Sequence, residues 1–382
     1  MNIAIYTNIL TPYRKYFFDC MYEECTKAGH QFRVFLMAET EPNRNWKYND
    51  LKTQYTVLLK NKMLSYGETY IHINSNLKHE ILKFKPSVVI CAGSYISPGV
   101  WQLCKLKKRM SFKVIFWSES HVNEKKGSNG LKVCIREKIR HKVYMQFDGF
   151  WYAGKLSREF IEQYASNSAC YYFMPNLVDE IKFAVAAHCT EIERKKIAER
   201  YDLDSSKKIL ITPARLSPVK GIVEFLRILN NLDDKKITWI IAGDGELKTK
   251  IQSISNKYCI DVRLVGYKTQ KEMIELYSVA DLFLMPSLSD PNPLTAIEAI
   301  WAGLPLFVSN HVGNYPEIVK EGKNGYVFSY TNVEESVGKL KQMLENDDEW
   351  YQQAKEISNE IARESYQSQK VVKRVVLELE NI

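Results

Sequence analysis

From one end of the chain to the other, short apolar runs rich in β-branched and aromatic residues alternate with stretches of helical spacing. That alternation dictates a parallel α/β architecture, because a helix after each strand carries the chain back to start a neighbouring strand in the same direction. In the first half, strands are expected near residues 2–7, 32–38, 87–92, 112–118, 149–153 and 170–174, with helices notably at 12–28, 70–84, 97–109, 130–145 and 156–166. The second half restarts the pattern with strands near 208–213, 237–242, 261–266, 281–285, 305–309 and 325–328. Helices follow each of its first four strands and recur near 314–320 and 333–346. With 382 residues, 45% of them hydrophobic, the chain can bury two cores. The expected division is a first Rossmann-like domain over 1–176, a second over 177–348, and a closing helix within 349–382. That helix carries Val371, Val372, Val375, Val376 and Leu379, a stripe suited to packing back toward the first domain. The joint falls near Pro175-Asn176, where a strand ends and a polar, helix-prone stretch begins.

Composition narrows the function classes. The eight cysteines are scattered, without a Cys-x-x-Cys pair or a companion histidine spacing, so neither zinc nor a disulfide framework is expected. The start Met1-Asn2-Ile3-Ala4-Ile5-Tyr6 leads directly into a strand and lacks the pattern of a secretory leader. No apolar run approaches the roughly 20 residues that span a bilayer. A cytoplasmic protein is the expectation. Residues 1–180 hold 26 Lys and Arg against 16 Asp and Glu, whereas the remainder holds 27 against 29, so the whole net charge of +8 arises in the first half. Much of it crowds between Lys105 and Lys142, including Lys107, Lys108, Arg109, Lys125, Lys126, Lys132, Arg136, Lys138 and Arg140. Such a run is either a solvated helix face or a surface for anionic lipid or a phosphorylated acceptor; nucleic acid is not the expected partner.

In doubly wound sheets the ligand sits at the carboxyl ends of the strands, so the chemistry is sought there. The strand ending at Pro213 is followed by Arg215 and, five residues on, Lys220-Gly221, two cations able to neutralise a diphosphate or simply to flank a turn. The next strand ends in Gly243-Asp244-Gly245, where glycine admits close approach of a ligand and Asp244 could equally cap the following helix. After strand 281–285 comes a loop with Asp290, then Pro291-Asn292-Pro293, then a helix bearing Glu298. Two carboxylates about a helix N-terminus suit a ligand with both hydroxyls and phosphate: the acids accept from hydroxyls and the free amides hold the anion. An N-cap acid and a surface Glu is the plainer alternative.

Taken in order, Arg215-x4-Lys220-Gly221, Gly243-Asp244-Gly245, Val265-Gly266-Tyr267, Pro286-Ser287, the acid-x7-Glu pair, Ala302-Gly303-x-Pro305 and Asn324-Gly325 resemble the donor domain of family 4 retaining glycosyltransferases. The likeness covers roughly 205–330; the first half shares only the alternation. It implies the GT-B fold, an α/β architecture of two facing Rossmann-like doubly wound parallel-sheet domains, the first for the acceptor and the second for the donor. Carried over residue by residue, it implies that Arg215 and Lys220 bind the donor diphosphate, Glu298 the ribose hydroxyls and Asp290 the transferred sugar. Gly243 and Tyr267 join the donor contacts. Here the family usually has a first Glu followed by glycines; Asp290 is one methylene shorter, and each proline removes an amide, leaving those of Leu294 and Thr295 for phosphate. In the first half, Arg14 stands where relatives have a glycine-rich loop and could reach diphosphate or an anionic acceptor. His121 follows a strand end where many relatives place a histidine near the sugar. Each could equally be a structural residue.

The resemblance implies transfer of a sugar from a nucleoside-diphosphate sugar, of UDP or GDP type, to an acceptor hydroxyl with retained configuration. The expected acceptor is a lipid-linked or surface-polysaccharide precursor (O-antigen, capsule or exopolysaccharide) at the inner face of the cytoplasmic membrane. No Asp-x-Asp metal motif is evident among the elements that carry the resemblance, so no metal or other cofactor is expected. A nucleotide-sugar epimerase of the same architecture and a non-catalytic sugar-nucleotide-binding partner are the alternatives.

Overall fold

A computed structural model of the chain describes residues 1–42, 52–66, 69–123, 130–204, 206–232 and 236–382. They form two compact units, one of Met1–Leu177 with Ser368–Ile382, the other of Val178–Gln367.

The first unit contains strands β1 (Asn2–Thr7), β2 (Gln31–Leu36), β3 (Thr56–Leu58), β4 (Asn61–Tyr66), β5 (Thr69–Asn74), β6 (Val88–Ala92), β7 (Lys113–Ser118), β8 (Gly149–Tyr152) and β9 (Cys170–Phe173). Seven of them form a parallel sheet in the order β3-β2-β1-β6-β7-β8-β9. Residues of β1 alternate between the two faces, Ile3 and Ile5 entering one apolar core and Ala4 and Tyr6 the other. Both faces are therefore covered, as a parallel sheet requires.

One expected element is corrected. The stretch 70–84 is not a single helix: β5 pairs antiparallel with β4 as a hairpin, and the helix begins only at Leu77. Tyr70-Ile71-His72-Ile73 supplies β-branched and aromatic residues with period-two burial. Asn74 then anchors the strand end, donating to the Met37 carbonyl at 2.7 Å and accepting from the Tyr6 hydroxyl at 2.8 Å, which stops a helix from running through.

The second unit contains β10 (Lys208–Pro213), β11 (Ile237–Ala242), β12 (Asp261–Gly266), β13 (Leu282–Met285), β14 (Leu306–Ser309) and β15 (Gly325–Phe328). Its parallel sheet runs β12-β11-β10-β13-β14-β15. Ile209 and Ile211 face one core while Leu210 faces the other. In both sheets the strand order reverses beside the unit's first strand, between β1 and β6 and between β10 and β13, and loops leaving that point diverge to open a crevice at the carboxyl ends.

The expected closing helix is two helices. Asp348–Ser365 adds Ile361, Ala362 and the following Tyr366 to a core of the second unit, which extends past the expected limit at 348 to Gln367. Ser368–Glu380 places Val371, Val372, Val375, Val376 and Leu379 in a core of the first unit, against the helix Pro12–Lys27. The break at Tyr366-Gln367 separates two apolar stripes that serve different cores. No helix among the described residues is long and apolar enough to cross a membrane.

Candidate functional site

Three loops meet at the switch point of the second sheet. After β10 the chain passes Arg215, exposed at the strand end, and turns through Pro218–Lys220 to Gly221. Gly221 has φ +64°, and a Cβ there would lie 2.0 Å from the Pro286 carbonyl oxygen, so this turn and the loop after β13 can touch only with glycine in place. Tyr330 ties them further, donating its hydroxyl to the Pro286 carbonyl at 2.5 Å, and the Leu288 amide donates to the Val219 carbonyl at 2.8 Å. This contact brings Lys220 Nζ to Asp290 Oδ2 at 2.5 Å, with both side chains largely buried.

The loop after β14 fixes Asp290 from the other side. The Asp290 amide donates to the His311 carbonyl at 3.2 Å and its carbonyl accepts from the Gly313 amide at 2.7 Å. Asn314 Nδ2 donates to Asn292 Oδ1 at 3.2 Å, and the Ser309 hydroxyl donates to the Ser287 carbonyl. Backbone and amide side chains thus hold the loop firmly around Pro291 and Pro293.

The helix Leu294–Trp301 starts directly after Pro293, and no side chain caps it. Its first amides, those of Leu294 and Thr295 among them, have no intrahelical acceptors, so the end carries partial positive charge suited to an anion. Further along this helix Glu298 is partly buried, and burial pushes its carboxyl up to about 7, opposed by a hydrogen bond from the Tyr277 hydroxyl at 2.8 Å.

Beside β10, a Cβ on Gly243 would lie 2.1 Å from the Ala214 carbonyl oxygen, so the end of β11 packs directly against the loop bearing Arg215. Asp244 does not cap the following helix, whose N-cap is Leu247; it accepts from the Tyr267 amide at 3.1 Å. The Tyr267 side chain itself is 80% exposed. The second unit thus brings Lys220 against Asp290 and Gly243 beside the Arg215 strand end, and places Glu298 against a tyrosine.

In the first unit, Arg14 and His121 both lie at carboxyl strand ends. The Arg14 guanidinium stacks 4.6 Å over Trp117 at the end of β7 and Nη1 donates to Thr7 Oγ1, at the end of β1, at 3.4 Å. His121 is buried, three residues past β7. Of the basic stretch, Lys125 and Lys126 lie outside the described residues. Among the described residues no group of three or more His, Cys, Asp or Glu could hold a metal ion, and none of the eight cysteines forms a disulfide.

Sequence reasoning missed Tyr277 and the 309–314 loop. The loop was findable, since it follows a strand end like the others. Tyr277 was not: on the apolar side of a helix it reads as core, and its partner lies 21 residues away on another element.

The 3-2-1-4-5-6 strand order in the second unit, repeated and extended by one strand in the first, makes each unit a Rossmann-like doubly wound sheet, and two such units are the plan of the GT-B fold. A solved structure of HepE from Anabaena, in complex with UDP, shares this fold at a TM-score of 0.77 and 12% identity, covering 100% of both chains. Residues 193–362 match the model of the family of glycosyl transferases group 1. Over 182 residues the chain is 28% identical to N-acetyl-alpha-D-glucosaminyl L-malate synthase of Bacillus anthracis, covering 46% of each. Over 179 residues it is 27% identical to UDP-Gal:alpha-D-GlcNAc-diphosphoundecaprenol alpha-1,3-galactosyltransferase of Escherichia coli, covering 45% of each. The chain spans less than half the length of these curated relatives.

Proposed function

We propose that the protein is a retaining, family 4 glycosyltransferase that moves a sugar from a nucleoside-diphosphate sugar, of UDP or GDP type, to an acceptor hydroxyl. The observation that carries this reading is the Lys220–Asp290 contact beside an uncapped helix N-terminus at the switch point of the second sheet. Lys220, Arg215 and the Leu294 and Thr295 amides would neutralise the diphosphate as it departs, the main electrostatic task of the reaction. Asp290 would accept from the transferred sugar's hydroxyls and Glu298 from the ribose, with Gly243 and Tyr267 lining the nucleotide. The bond between the anomeric carbon and the phosphate oxygen breaks as the acceptor oxygen bonds to the same face, and the leaving phosphate takes the acceptor's proton. No metal or other cofactor is required in this scheme. The first unit is assigned the acceptor, with Arg14 and His121 as residues to test. UDP in the HepE complex and the UDP-galactose named for the Escherichia coli relative favour a UDP sugar.

That relative's diphosphoundecaprenol acceptor favours a lipid-linked glycan precursor, as used for surface polysaccharide, and a place at the cytoplasmic membrane face. The helix Gly130–Tyr144 supports a membrane approach: Ile135 and Ile139 are exposed one turn apart, with Arg136, Lys138 and Lys142 exposed around them.

Thermal stabilisation by UDP-, GDP-, dTDP- and ADP-sugars tests the donor reading, because a ligand that binds only the folded state raises the melting temperature. One donor should give a shift that disappears in Lys220→Ala. No shift with any of the four would overturn the assignment.

A further inference from the structure

Tyr277 belongs to the helix Gln270–Val279, a different element from the one bearing Glu298, yet its hydroxyl ends 2.8 Å from Glu298 Oε2. The Thr295 carbonyl lies farther, at 3.4 Å, so the single phenolic proton is directed to the carboxylate. The Phe183 ring packs edge-on against the Tyr277 ring at 6.1 Å. Building on the donor site proposed above, we propose that Tyr277 is a positioning residue for the nucleotide, holding the Glu298 carboxylate in the orientation and charge state that ribose hydroxyls need.

Two acceptor oxygens allow this division of labour: Oε2 takes the tyrosine proton and Oε1 remains for the ligand. Burial and the adjacent carboxylate keep the Tyr277 phenol protonated, since both raise it well above its usual value, so it donates throughout the working pH range. Burial raises Glu298 and the Tyr277 hydrogen bond lowers it, while Lys182, Glu317 and Lys355 stand on the helices packed against its own. Removing the one hydrogen bond that favours the ionised form must therefore move Glu298 titration upward.

The test is calorimetric titration of UDP, GDP, dTDP and ADP between pH 6 and 9. Wild-type affinity for the preferred diphosphate should rise with pH through about 7 and level off, as the carboxylate ionises. In Tyr277→Phe the rise should move to higher pH, leaving binding about tenfold weaker at pH 7, the scale of one hydrogen bond to a charged group. The double variant Tyr277→Phe/Glu298→Gln should bind no more weakly than Glu298→Gln alone, which a merely structural tyrosine would not produce. Should Tyr277→Phe not fold, 3-fluorotyrosine at this position, a stronger donor, should move the rise to lower pH. Unchanged pH profiles, or additive losses in the double variant, would overturn the inference while leaving the donor site standing. Wild-type protein that binds none of the four diphosphates removes both.

Discussion

A carboxylate placed as Glu298 is makes the fold less stable than it could be. Its carboxyl titrates near 7 in the folded protein, against the ordinary 4.5, so the folded state holds this proton more tightly than the unfolded chain does. Stability therefore falls as pH rises from about 4.5 to 7 and stays lower above that range, by about 3 kcal/mol at most. A glutamine keeps an acceptor for Tyr277 without the buried charge. Glu298→Gln should accordingly unfold at higher denaturant than wild type at pH 8, by about 2 kcal/mol, and gain nothing at pH 4.5. Equal stability of the two proteins at pH 8 would show that Glu298 carries no such burden. A residue retained against the interest of the fold is the kind expected in a binding site.

Among the elements, the helix Gly130–Tyr144 shows how a basic run divides its labour. Arg140 turns inward: its guanidinium lies 4.9 Å over Phe160 and 5.2 Å over both Tyr95 and Tyr164, and pairs with Glu137 at 2.9 Å. Cationic contact with three rings plus a largely buried ion pair should make Arg140→Ala cost about 2–4 kcal/mol in equilibrium unfolding. Arg140→Lys should recover little, because an ammonium cannot stack flat on a ring. A loss below about 0.5 kcal/mol would mean the cage does not hold the helix. Sequence placed this helix and its charge but could not separate the anchoring arginine from its solvent-facing neighbours, since the rings come from two other segments. The strand ends bearing Arg215, Lys220, Gly243 and Asp290 were legible because βα alternation fixes which loops gather at one edge. The β4–β5 hairpin was not, because an apolar run leading into a helix looks like that helix's first turns.

For the molecule as a whole, the uneven charge sets a distinct expectation. The first 180 residues carry the entire excess of cations, so attraction to an anionic bilayer should act through the first unit and weaken with salt. Sedimentation with phosphatidylglycerol vesicles should retain the protein at 50 mM NaCl and release most of it at 500 mM, while neutral phosphatidylcholine vesicles retain little. Replacing Lys138 and Lys142 with Glu should abolish the preference; binding indifferent to lipid charge would rule the membrane reading out. One further consequence lies in the path of the chain. Ser368–Glu380 completes a core begun by Asn2–Thr7, and all of Val178–Gln367 is synthesised in between. During translation the second unit can close as one contiguous stretch, while the first waits with an apolar groove open until residues 371–379 leave the ribosome. The amino-terminal unit, made first, is thus finished last, and through that interval it is the part of the nascent chain most in need of a chaperone.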